Sequence, residues 1–579
     1  MREVTSSSLV SRTSQSSKAP LRRGLRRSGA GGVRHTRPVP WEGMAEDPHE
    51  LPGGPSARER LIAGVHALGI PETWTVGGVE RDRLMGRPEA DVDVMACGVT
   101  AEELTALCRE AGYRPQPLEV AGRLVGVRVR ADFTGLEGAE IALARTEVST
   151  GEGHAEFEIV PVPVAEHLRD LPPADRAGDP SLREAVLADL GRRDFTCNAI
   201  ARNTRTGEVL DPYGGAADIA AGIVRAISPE SFRDDALRAF RLLARVARDG
   251  SRPDPVTVRL LREAAVDMAI QGLPGPDGVV PPEPEKVVER VRGRAGRERQ
   301  VVRRSPRTSL TQDRIRDELV KTLGGPHAAD ALRLALDLGL LQRVLPEIAP
   351  TVGLEQRDPH HRLTVAEHAV QAVAAADRDG APWLLKAVML MHDSGKAQAY
   401  QDHDDGGRSF HGHDAASAAQ ARVWAPRLRL SRADADDVVH LVAHHMFDDD
   451  TEIADLPAAE ADRRARRFLA RHGVDRALAL AEVRRFDRSA RTDRLPEPGD
   501  PVLRDAEAFR DALRRTRDAP TTIRQLAIGG ADLRELGLPP GPAHGELLRE
   551  LLAVVVDDPA ANDGALLRER AARWIGGRA

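Results

Sequence analysis

The chain of 579 residues has few cysteine, lysine and aromatic residues, and it has no long apolar run. Its three cysteines, Cys97, Cys108 and Cys197, are too few and too scattered for a disulfide framework, which favours a reducing cytoplasm. No stretch approaches the ~18 consecutive apolar residues of a membrane-spanning helix, so we expect no membrane association. Only five of the 83 basic residues are lysine, which indicates a GC-rich genome rather than a function.

The charge balance is mildly acidic, with 89 acidic and 83 basic residues and a formal net charge of −6. This balance excludes a uniformly basic nucleic-acid coat but allows a local basic groove. Hydrophobic residues make up 41% and charged residues 30%, which is typical of a folded globular protein. The length predicts roughly three to five domains.

Residues 1–43 form a basic leader with nine basic and two acidic residues and no apolar periodicity, so we expect disorder there. The composition is compatible with an Arg/Ser-rich transit peptide or with a basic arm that binds nucleic acid. A third interpretation, which we favour, is that translation starts at Met44. An acidic segment begins at Met44, and helical periodicity begins at Arg58.

The periodicity divides the rest of the chain into a mixed part and a helical part. Between residues 58 and 225, helical stretches alternate with short β-branched runs at Trp74–Val76, Val92–Val94, Leu124–Val129 and Ile141–Leu143. Beyond residue 230 nearly every periodic segment is helical, including Ala236–Ala247, Arg314–Leu323 and Ala329–Leu341. Residues 272–307, which are rich in Pro and Gly and then in Arg, predict a flexible insert, with a solvated loop favoured over nucleic-acid contact.

A first group of candidate functional residues follows the run Trp74–Val76. The pair Gly77-Gly78 lets backbone N–H groups approach phosphates, and Arg81 could add a charge-assisted contact. Asp91 and Asp93 are two positions apart in a strand-like run, so both carboxylates lie on one face. Two converging carboxylates are what two-metal phosphoryl transfer requires.

Further polar motifs follow in order along the chain: Glu140 to Glu147 (EIALARTE), Arg192 to Ala199 (RRDFTCNA), Asp211 to Gly215 (DPYGG) and Asp234 to Arg241 (DDALRAFR). Glu140 could supply a third carboxylate or simply end a solvated strand. With 3.6 residues per turn, Asp234, Arg238 and Arg241 should share one helix face, with Asp235 adjacent.

Together these motifs resemble those of the class II tRNA nucleotidyltransferase and bacterial poly(A) polymerase family, of the polymerase-beta superfamily. The resemblance implies catalysis and Mg²⁺ binding by Asp91 and Asp93, and nucleotide binding by Gly78, Arg81, Arg193, Asn198, Asp235, Arg238 and Arg241. Asp235 and Arg238 would read the edge of the incoming base. Two positions depart from the family pattern: Glu80 replaces an apolar residue and Asp234 replaces the usual Glu.

A second group of candidates consists of His368 and the pair His392-Asp393, followed by Ser-Gly-Lys396. Imidazole and carboxylate ligands suit a transition metal. Further histidines follow at His411, His413, His440, His444 and His445. The pattern resembles the HD phosphohydrolase superfamily, which implies a metal site at His368, His392 and Asp393. The closing Asp of that superfamily has no counterpart near His444–His445.

The sequence therefore predicts an α+β protein: a polymerase-beta-like head with a mixed sheet, then largely all-α neck, HD and tail domains. We place the head at 58–225, the neck at 226–350, the HD domain at 355–450 and the tail at 451–579. The function implied by the resemblance is addition of C and A from CTP and ATP to the 3′ end of tRNA. Alternatives are a poly(A) polymerase, an enzyme that adds only A or only C, and an HD phosphohydrolase with a degenerate head. No motif indicates a protein partner.

Overall fold

The structure, a computed structural model, describes residues 57–577 except 88–91, 121–122, 130–139, 150–156, 269, 271, 274–285, 293–297, 305–309, 358–361, 448–452 and 498. The predictions for the leader and for Asp91 therefore concern residues outside the described part. Residues 57–579 form one compact unit. No helix among the described residues is long and apolar enough to cross a membrane.

The head is built on a seven-stranded mixed sheet. In the order in which they lie side by side, its strands are β3 (Pro115–Val120), β4 (Arg123–Val129), β5 (Glu140–Leu143), β2 (Asp93–Cys97), β1 (Glu72–Val76), β8 (Ala201–Asn203) and β9 (Val209–Leu210). Two further strands, β6 (Arg145–Ser149) and β7 (Phe157–Pro161), pair with each other outside this sheet. Strands β2 and β5 are parallel, whereas the other neighbours in this sheet are antiparallel. Its helices are α1 (Ala57–Ala67), α2 (Gly78–Leu84), α3 (Ala101–Glu110), α4 (Pro180–Gly191) and α5 (Gly215–Ala220).

The alternation of side chains along β2 gives the sheet two covered faces. Val94 and Ala96 pack into one apolar core, and Met95 and Cys97 pack into the other. Asp93 has the same parity as Met95, so its carboxylate belongs to that face at the beginning of the strand. The β-branched runs predicted as strands correspond to β1, β2, β4 and β5, and the prediction of a mixed sheet is confirmed.

The remainder of the described chain is largely helical. It contains α6 (Ser231–Asp234), α7 (Leu237–Asp249), α8 (Pro255–Asp267), α9 (Gln312–Gly324), α10 (Ala328–Asp337), α11 (Leu340–Val344), α12 (Val365–Arg378), α13 (Trp383–Met391), α14 (Lys396–Ala399), α15 (His413–Arg427), α16 (Arg432–Ala443), α17 (Ala458–His472), α18 (Val474–Ser489), α19 (Arg504–Thr516), α20 (Gly530–Glu535), α21 (Pro542–Asp557) and α22 (Gly564–Gly576). Short strand pairs join β10 (Ile223–Val224) to β11 (Arg252–Pro253) and β14 (Gln401–Asp402) to β15 (Arg408–Ser409).

One hydrophobic core extends from Phe195 to Leu513 through the neck and the helices beyond it, and a smaller core lies between Ile528 and Ala571. Because the large core is continuous, packing joins the neck to the region predicted as the HD domain. The predicted domain bounds themselves stay a prediction.

Two helical predictions need correction. The segment Ala329–Leu341 is not one helix, because Gly339 takes a left-handed conformation at φ 75° and separates α10 from α11. The motif that begins at Asp234 is not on one helix either. Asp235 is extended, with φ −144° and ψ 99°, so α6 ends before it and α7 starts at Leu237.

The predicted loop in the insert 272–307 is also wrong for its basic part. Residues Lys286–Arg292 (β12) and Glu298–Arg304 (β13) form an antiparallel pair in full register. Valine pairs at 287–288 and 301–302 give both segments β propensity, and this propensity prevails over the high content of basic residues, which favours a loop.

Candidate active site and metal centre

A cavity of about 710 Å³ opens between the head sheet and the start of the helical region. It is lined by nearly all of the nucleotide-site candidates: Gly78, Arg81, Asp93, Arg193, Asn198, Asp235, Arg238 and Arg241. The tertiary structure thus brings together residues that span more than half of the head and neck sequence. Their individual roles stay predictions, and Asp91 lies outside the described residues.

Acidic side chains lie together at one side of the cavity. Asp93 and Glu140 are register partners at the beginnings of the parallel strands β2 and β5, and both line the cavity. Side chains of register partners in neighbouring parallel strands point to the same face, with the strands about 4.8 Å apart. Glu140 also forms an ion pair with Arg128. This acidic edge offers hard oxygen ligands of the kind that Mg²⁺ prefers.

Arg81 is held rigidly beside this edge. It is 6% exposed and donates hydrogen bonds to Asp82 Oδ1 at 2.9 Å and to Asn198 Oδ1 at 2.5 Å. Asn198 in turn donates to Asp194 Oδ1 at 2.8 Å, and Arg248 of α7 donates to Asp82 Oδ2 at 2.8 Å. These contacts fix the guanidinium of Arg81 and join the head to α7.

A buried carboxylate that the sequence analysis missed orients the next two arginines. Asp189 on α4 is 1% exposed and accepts hydrogen bonds from Arg193 Nη2 at 2.7 Å and from Arg192 Nη2 at 3.0 Å. It also accepts from the backbone N–H of Arg145 at 3.1 Å. Burial by itself raises the pKa of Asp189, but Arg193 and Arg192 outweigh burial and hold that pKa below its ordinary value. The signal in the sequence was an Asp three and four positions before an Arg pair.

The glycine turn after β1 makes room for Arg193. Gly77 has φ 74°, and a Cβ atom built there would lie 2.6 Å from Arg193 Nη1. The same guanidinium group donates to the backbone carbonyl of Asn198 at 3.3 Å. Gly77 is therefore needed both for its backbone conformation and for the close approach of an arginine.

Asp235 and Arg238, the candidate base-reading pair, lie at the cavity wall beside the break between α6 and α7. The carboxylate of Asp235 accepts from the backbone N–H of Leu237 at 3.0 Å and lies 3.6 Å from Arg314 Nη2. Arg238 is 8% exposed and donates to the backbone carbonyls of Arg192 at 2.8 Å and Ser231 at 3.2 Å. The extended residue at 235 thus brings its carboxylate and the Arg238 guanidinium to one cavity although they do not share a helix.

Glu80, which departs from the family pattern, is not among the described residues that line the cavity. It is fully buried, accepts a hydrogen bond from Thr75 Oγ1 at 2.5 Å and pairs with Arg202 Nε at 2.9 Å. The charge of this carboxylate is satisfied within the head and does not oppose an anion bound beside Arg81.

Charge in the cavity is dense and unevenly placed. Among the described residues, seven arginines and five carboxylates line it, and Arg145, Arg192 and Arg314 join the predicted ones. Asp189 neutralises part of this charge from beneath, while Asp93 and Glu140 lie at the acidic edge. A polyanion can therefore bind on the arginines, with one of its groups near carboxylates that suit a divalent cation.

A second cluster contains the candidates of the HD pattern. His368 on α12, His392, Asp393 and Asp487 each offer a ligand atom within 4.8 Å of the others. His392 Nε2 lies 3.3 Å from Asp393 Oδ2 and 3.4 Å from Asp487 Oδ1, and His368 Nε2 lies 2.9 Å from Asp487 Oδ1. Asp487 on α18 supplies the carboxylate that the sequence analysis did not find near residue 445. It lies beyond residue 450, the predicted end of the HD domain, and no local motif marks it.

Asp393 also belongs to a second group with His413 and His445, whose ligand atoms again lie within 4.8 Å. Its Oδ1 lies 3.2 Å from His413 Nε2 and 3.7 Å from His445 Nε2. Lys396 Nζ lies 2.7 Å from the other oxygen of Asp393. Asp393 is therefore the common member of both groups.

In all four imidazoles Nδ1 lies within hydrogen-bond distance of a backbone carbonyl oxygen, which favours a proton on that nitrogen. The Nδ1–H groups donate to carbonyl oxygens: His368 to Ala490 at 3.1 Å, and His392 to Met389, His413 to Phe410 and His445 to Val442, each at 2.7 Å. Each Nε2 atom therefore points inward toward the carboxylates of Asp393 and Asp487 and is an acceptor in the neutral ring. His392 Nε2 is buried with no hydrogen-bond partner among the described residues. This convergence of acceptors fits a bound cation.

The electrostatics of this cluster agree with its geometry. Burial lowers the pKa of His392, but Asp393 and Asp487 outweigh burial and raise that pKa to about 10, because both carboxylates favour positive charge at His392 Nε2, whether a proton or a metal ion carries it. Burial raises the pKa of Asp393 and of Asp487, but neighbouring cationic groups, His392 among them, hold both well below the ordinary value. The mixed imidazole and carboxylate donor set suits a transition metal.

Comparison with known families gives two matches. Residues 73–225 match the poly(A) polymerase head domain, and residues 308–351 match the probable RNA- and SrmB-binding site of polymerase A. The first match contains every cavity candidate of the head, and the second contains Arg314.

Individual proteins are similar over most of the chain. An A-adding tRNA nucleotidyltransferase of Deinococcus radiodurans is 30% identical over 491 residues, which are 83% of this chain and 91% of that protein. A multifunctional CCA protein of Pseudomonas paraeruginosa is 30% identical over 56% of this chain and 63% of its own length. The crystal structure of the Bacillus stearothermophilus CCA-adding enzyme in complex with CTP has the same fold, with a TM-score of 0.54, 21% identity and coverage of 91% of this chain and 99% of that chain.

The hydrogen bonds of Asp189 with Arg192 and Arg193 should be necessary for stability. In Asp189→Asn the largely buried guanidinium groups of Arg192 and Arg193 lose their counter-charge, and we expect a loss of about 3 kcal/mol in the free energy of unfolding. Thermal and denaturant unfolding would measure it. Asp175→Asn, at an exposed position, is the control and should be neutral. Equal stability of the two variants would contradict the structural role of Asp189.

The contact between Gly77 and Arg193 can be separated from backbone strain. Gly77→Ala and Gly86→Ala both place a side chain at a positive φ, and we expect a loss of about 1 kcal/mol of stability for Gly86→Ala and a larger loss for Gly77→Ala, whose ψ is −120°. A Cβ at Gly86 meets nothing within 4 Å, whereas one at Gly77 displaces Arg193. We therefore expect only Gly77→Ala to weaken binding of inorganic triphosphate, by about tenfold, in titration calorimetry. A similar loss in Gly86→Ala would contradict a specific contribution of Arg193.

Proposed function

The chain belongs to the class II tRNA nucleotidyltransferase and poly(A) polymerase family, and from this membership we propose that it adds CMP and AMP, from CTP and ATP, to the 3′ end of tRNA. The nucleotidyltransferase activity follows from the family. The finer assignment depends on one observation, the presence of Asp235 and Arg238 in the same cavity as the arginines and the acidic edge.

Asp235 and Arg238 offer an acceptor and a donor to the edge of a base. Cytosine and adenine each present an exocyclic amino group next to a ring nitrogen that accepts a hydrogen bond. Guanine and uracil present a carbonyl oxygen at the position of that amino group, which would oppose the Asp235 carboxylate. Arg238 donates to two backbone carbonyls, and these contacts fix the direction of its guanidinium group. This pair therefore supports selection of C and A over G and U without a nucleic-acid template.

The other end of the nucleotide would be bound by charge. Arg81, Arg193 and Arg241 would hold the triphosphate, with Gly78 giving backbone access and Asn198 orienting Arg81. Asp93, together with Asp91, would hold Mg²⁺ at the acidic edge. The ion, when bound, would stabilise charge on the phosphate oxygens and favour ionisation of the attacking 3′-hydroxyl.

The RNA partner is supported by sequence relatives rather than by charge. One relative is named an A-adding tRNA nucleotidyltransferase and another a multifunctional CCA protein, and residues 308–351 match a probable RNA-binding region. The net charge of −6 means that RNA must be bound by local basic groups. Action on tRNA, together with three buried free cysteines, supports a cytoplasmic location.

A second candidate is an enzyme that adds only A. The observation that favours it is the name of the Deinococcus radiodurans relative, an A-adding enzyme that this chain matches over 91% of its length. The base-reading pair does not distinguish the two candidates, because Asp235 and Arg238 suit both C and A. Nucleotide preference must therefore be measured.

The activity is tested with tRNA that ends before the CCA sequence and with tRNA that ends in CC, supplied with CTP, ATP or both. We expect CC addition from CTP alone and completion with ATP, and we expect Asp93→Asn to reduce addition by at least about 1,000-fold because it removes a metal ligand charge. Asp175→Asn is the control. ATP addition restricted to CC-ending tRNA would establish the second candidate, and full activity in Asp93→Asn would contradict the site.

We propose further that His368, His392, Asp393 and Asp487 bind a transition metal. The buried Nε2 of His392, which has no hydrogen-bond partner among the described residues, and the convergence of the ligand atoms support this proposal. The metal, when bound, would supply a Lewis acid for hydrolysis of a phosphate ester. Such hydrolysis would be an activity separate from nucleotide addition, because none of these four residues lines the head cavity.

Removal of this cluster should change metal content but not nucleotide addition. We expect the double variant His392→Ala/Asp393→Ala to lose about one transition-metal ion per chain and any hydrolysis of a phosphodiester substrate. Asp487→Asn should weaken metal binding in the same direction. His403→Ala, outside the cluster, is the control. Phosphodiesterase activity that survives the double variant would exclude a hydrolytic role for this cluster.

A further inference from the structure

Three histidines converge in a separate place, at the ends of α16 and α17. His440 and His444 are one helical turn apart, and His472 is the last residue of α17. Their ring centroids are 4.6, 5.2 and 5.0 Å apart, and His440 Nε2 lies 3.1 Å from His472 Nδ1. One ligand nitrogen from each ring lies within 4.8 Å of the other two.

This triad is distinct from the HD cluster, which consists of His368, His392, Asp393, Asp487, His413 and His445, although His444 and His445 are neighbours in sequence. His445 is 3% exposed, and its Nε2 faces Asp393 and His413. His444 is exposed and its ring lies against the rings of His440 and His472. Helix α16 ends just before His444, so the side chains of His444 and His445 point in different directions and belong to different groups.

We propose that His440, His444 and His472 form a second metal site, which binds a divalent transition ion of the Zn²⁺ class and connects α16 to α17. Tetrahedral Zn²⁺ with nitrogen ligands at 2.0–2.1 Å places those nitrogens about 3.4 Å apart, so small ring rotations would close the observed set. The donor set is imidazole alone. It excludes a preference for Mg²⁺ or Ca²⁺, which take oxygen ligands.

The surroundings support a structural ion at this position. Phe468 packs on the ring of His472, with centroids 4.4 Å apart, and belongs to the large hydrophobic core. The nearby charge of Arg476 is balanced by Asp437, whose Oδ1 lies 2.7 Å from Arg476 Nη2. The exposure of His444 leaves one side open for an ion to enter and for water to complete its coordination.

The proposed metal site has a consequence for the C-terminal region. Helix α17 also contacts α21, where Arg466 donates to the backbone carbonyl of Val556 at 2.6 Å and Arg467 Nε lies 2.7 Å from Asp557 Oδ1. An ion that holds the end of α16 to the end of α17 would therefore fix the helix on which the C-terminal helices rest.

The test uses the full-length protein with His392→Ala/Asp393→Ala, which removes the HD cluster and leaves the triad. We expect this protein to bind Co²⁺ with the visible absorption of a nitrogen-ligated tetrahedral ion, and Zn²⁺ to raise its unfolding temperature. Adding His444→Ala should weaken Co²⁺ binding by at least about tenfold, because an exposed ligand is lost while the core is unchanged. The additional variant His472→Gln should do the same.

The matched control adds His403→Ala, an exposed histidine outside both groups, and should bind Co²⁺ unchanged. Circular dichroism verifies that each variant is folded. Co²⁺ affinity and spectrum that are the same with and without His444 and His472 would overturn the proposal, as would an absence of Co²⁺ uptake in the starting protein. Loss of uptake in both triad variants with retention in the control would establish it.

Discussion

The compensation of arginine charge by buried carboxylates is the constraint on which the head cavity depends. Seven guanidinium groups around one cavity repel one another unless counter-charges hold them in place. Asp189 supplies the counter-charge for Arg192 and Arg193. Asp82 supplies it for Arg81 and also accepts a hydrogen bond from Arg248 of the neck. The same contacts that neutralise charge therefore orient the cavity and attach the head to the following helices.

The histidine cluster follows a related rule with the roles exchanged. A backbone carbonyl lies within hydrogen-bond distance of each Nδ1, and four Nε2 atoms are directed toward two carboxylates. Such a group favours a cation, and Lys396 supplies one positive charge. The head cavity has more cationic than anionic groups, which suits a polyanion, whereas the imidazoles and carboxylates of this cluster suit the proposed metal. The continuous core between them makes both parts of one unit.

Local patterns in the sequence predicted the strands and site residues that short motifs mark. The β-branched runs gave four strands of the head sheet, and the motifs around Gly78, Arg193 and Arg238 gave most of the cavity. The pattern was insufficient where backbone conformation breaks a period, as at Gly339 and at the extended Asp235. It was also insufficient where valines outweigh charge, as in the hairpin of β12 and β13. Periodicity records which face is apolar, but it does not record where a helix must stop.

By itself the sequence determined the family and the mixed head followed by helices, and it predicted the chemical types of both sites, because these depend on residue identity and short spacing. Only the tertiary structure decided which carboxylates complete them. The spacing of Asp189 from Arg192 and Arg193 is that of an ordinary surface ion pair, and only its burial in the tertiary structure makes it the carboxylate that holds both guanidinium groups. Asp487 lies on α18, far in sequence from His392, and the divergence of His444 from His445 depends on the end of α16. Asp487 meets His368 and His392 through packing of distant elements, and no short-range pattern encodes that meeting.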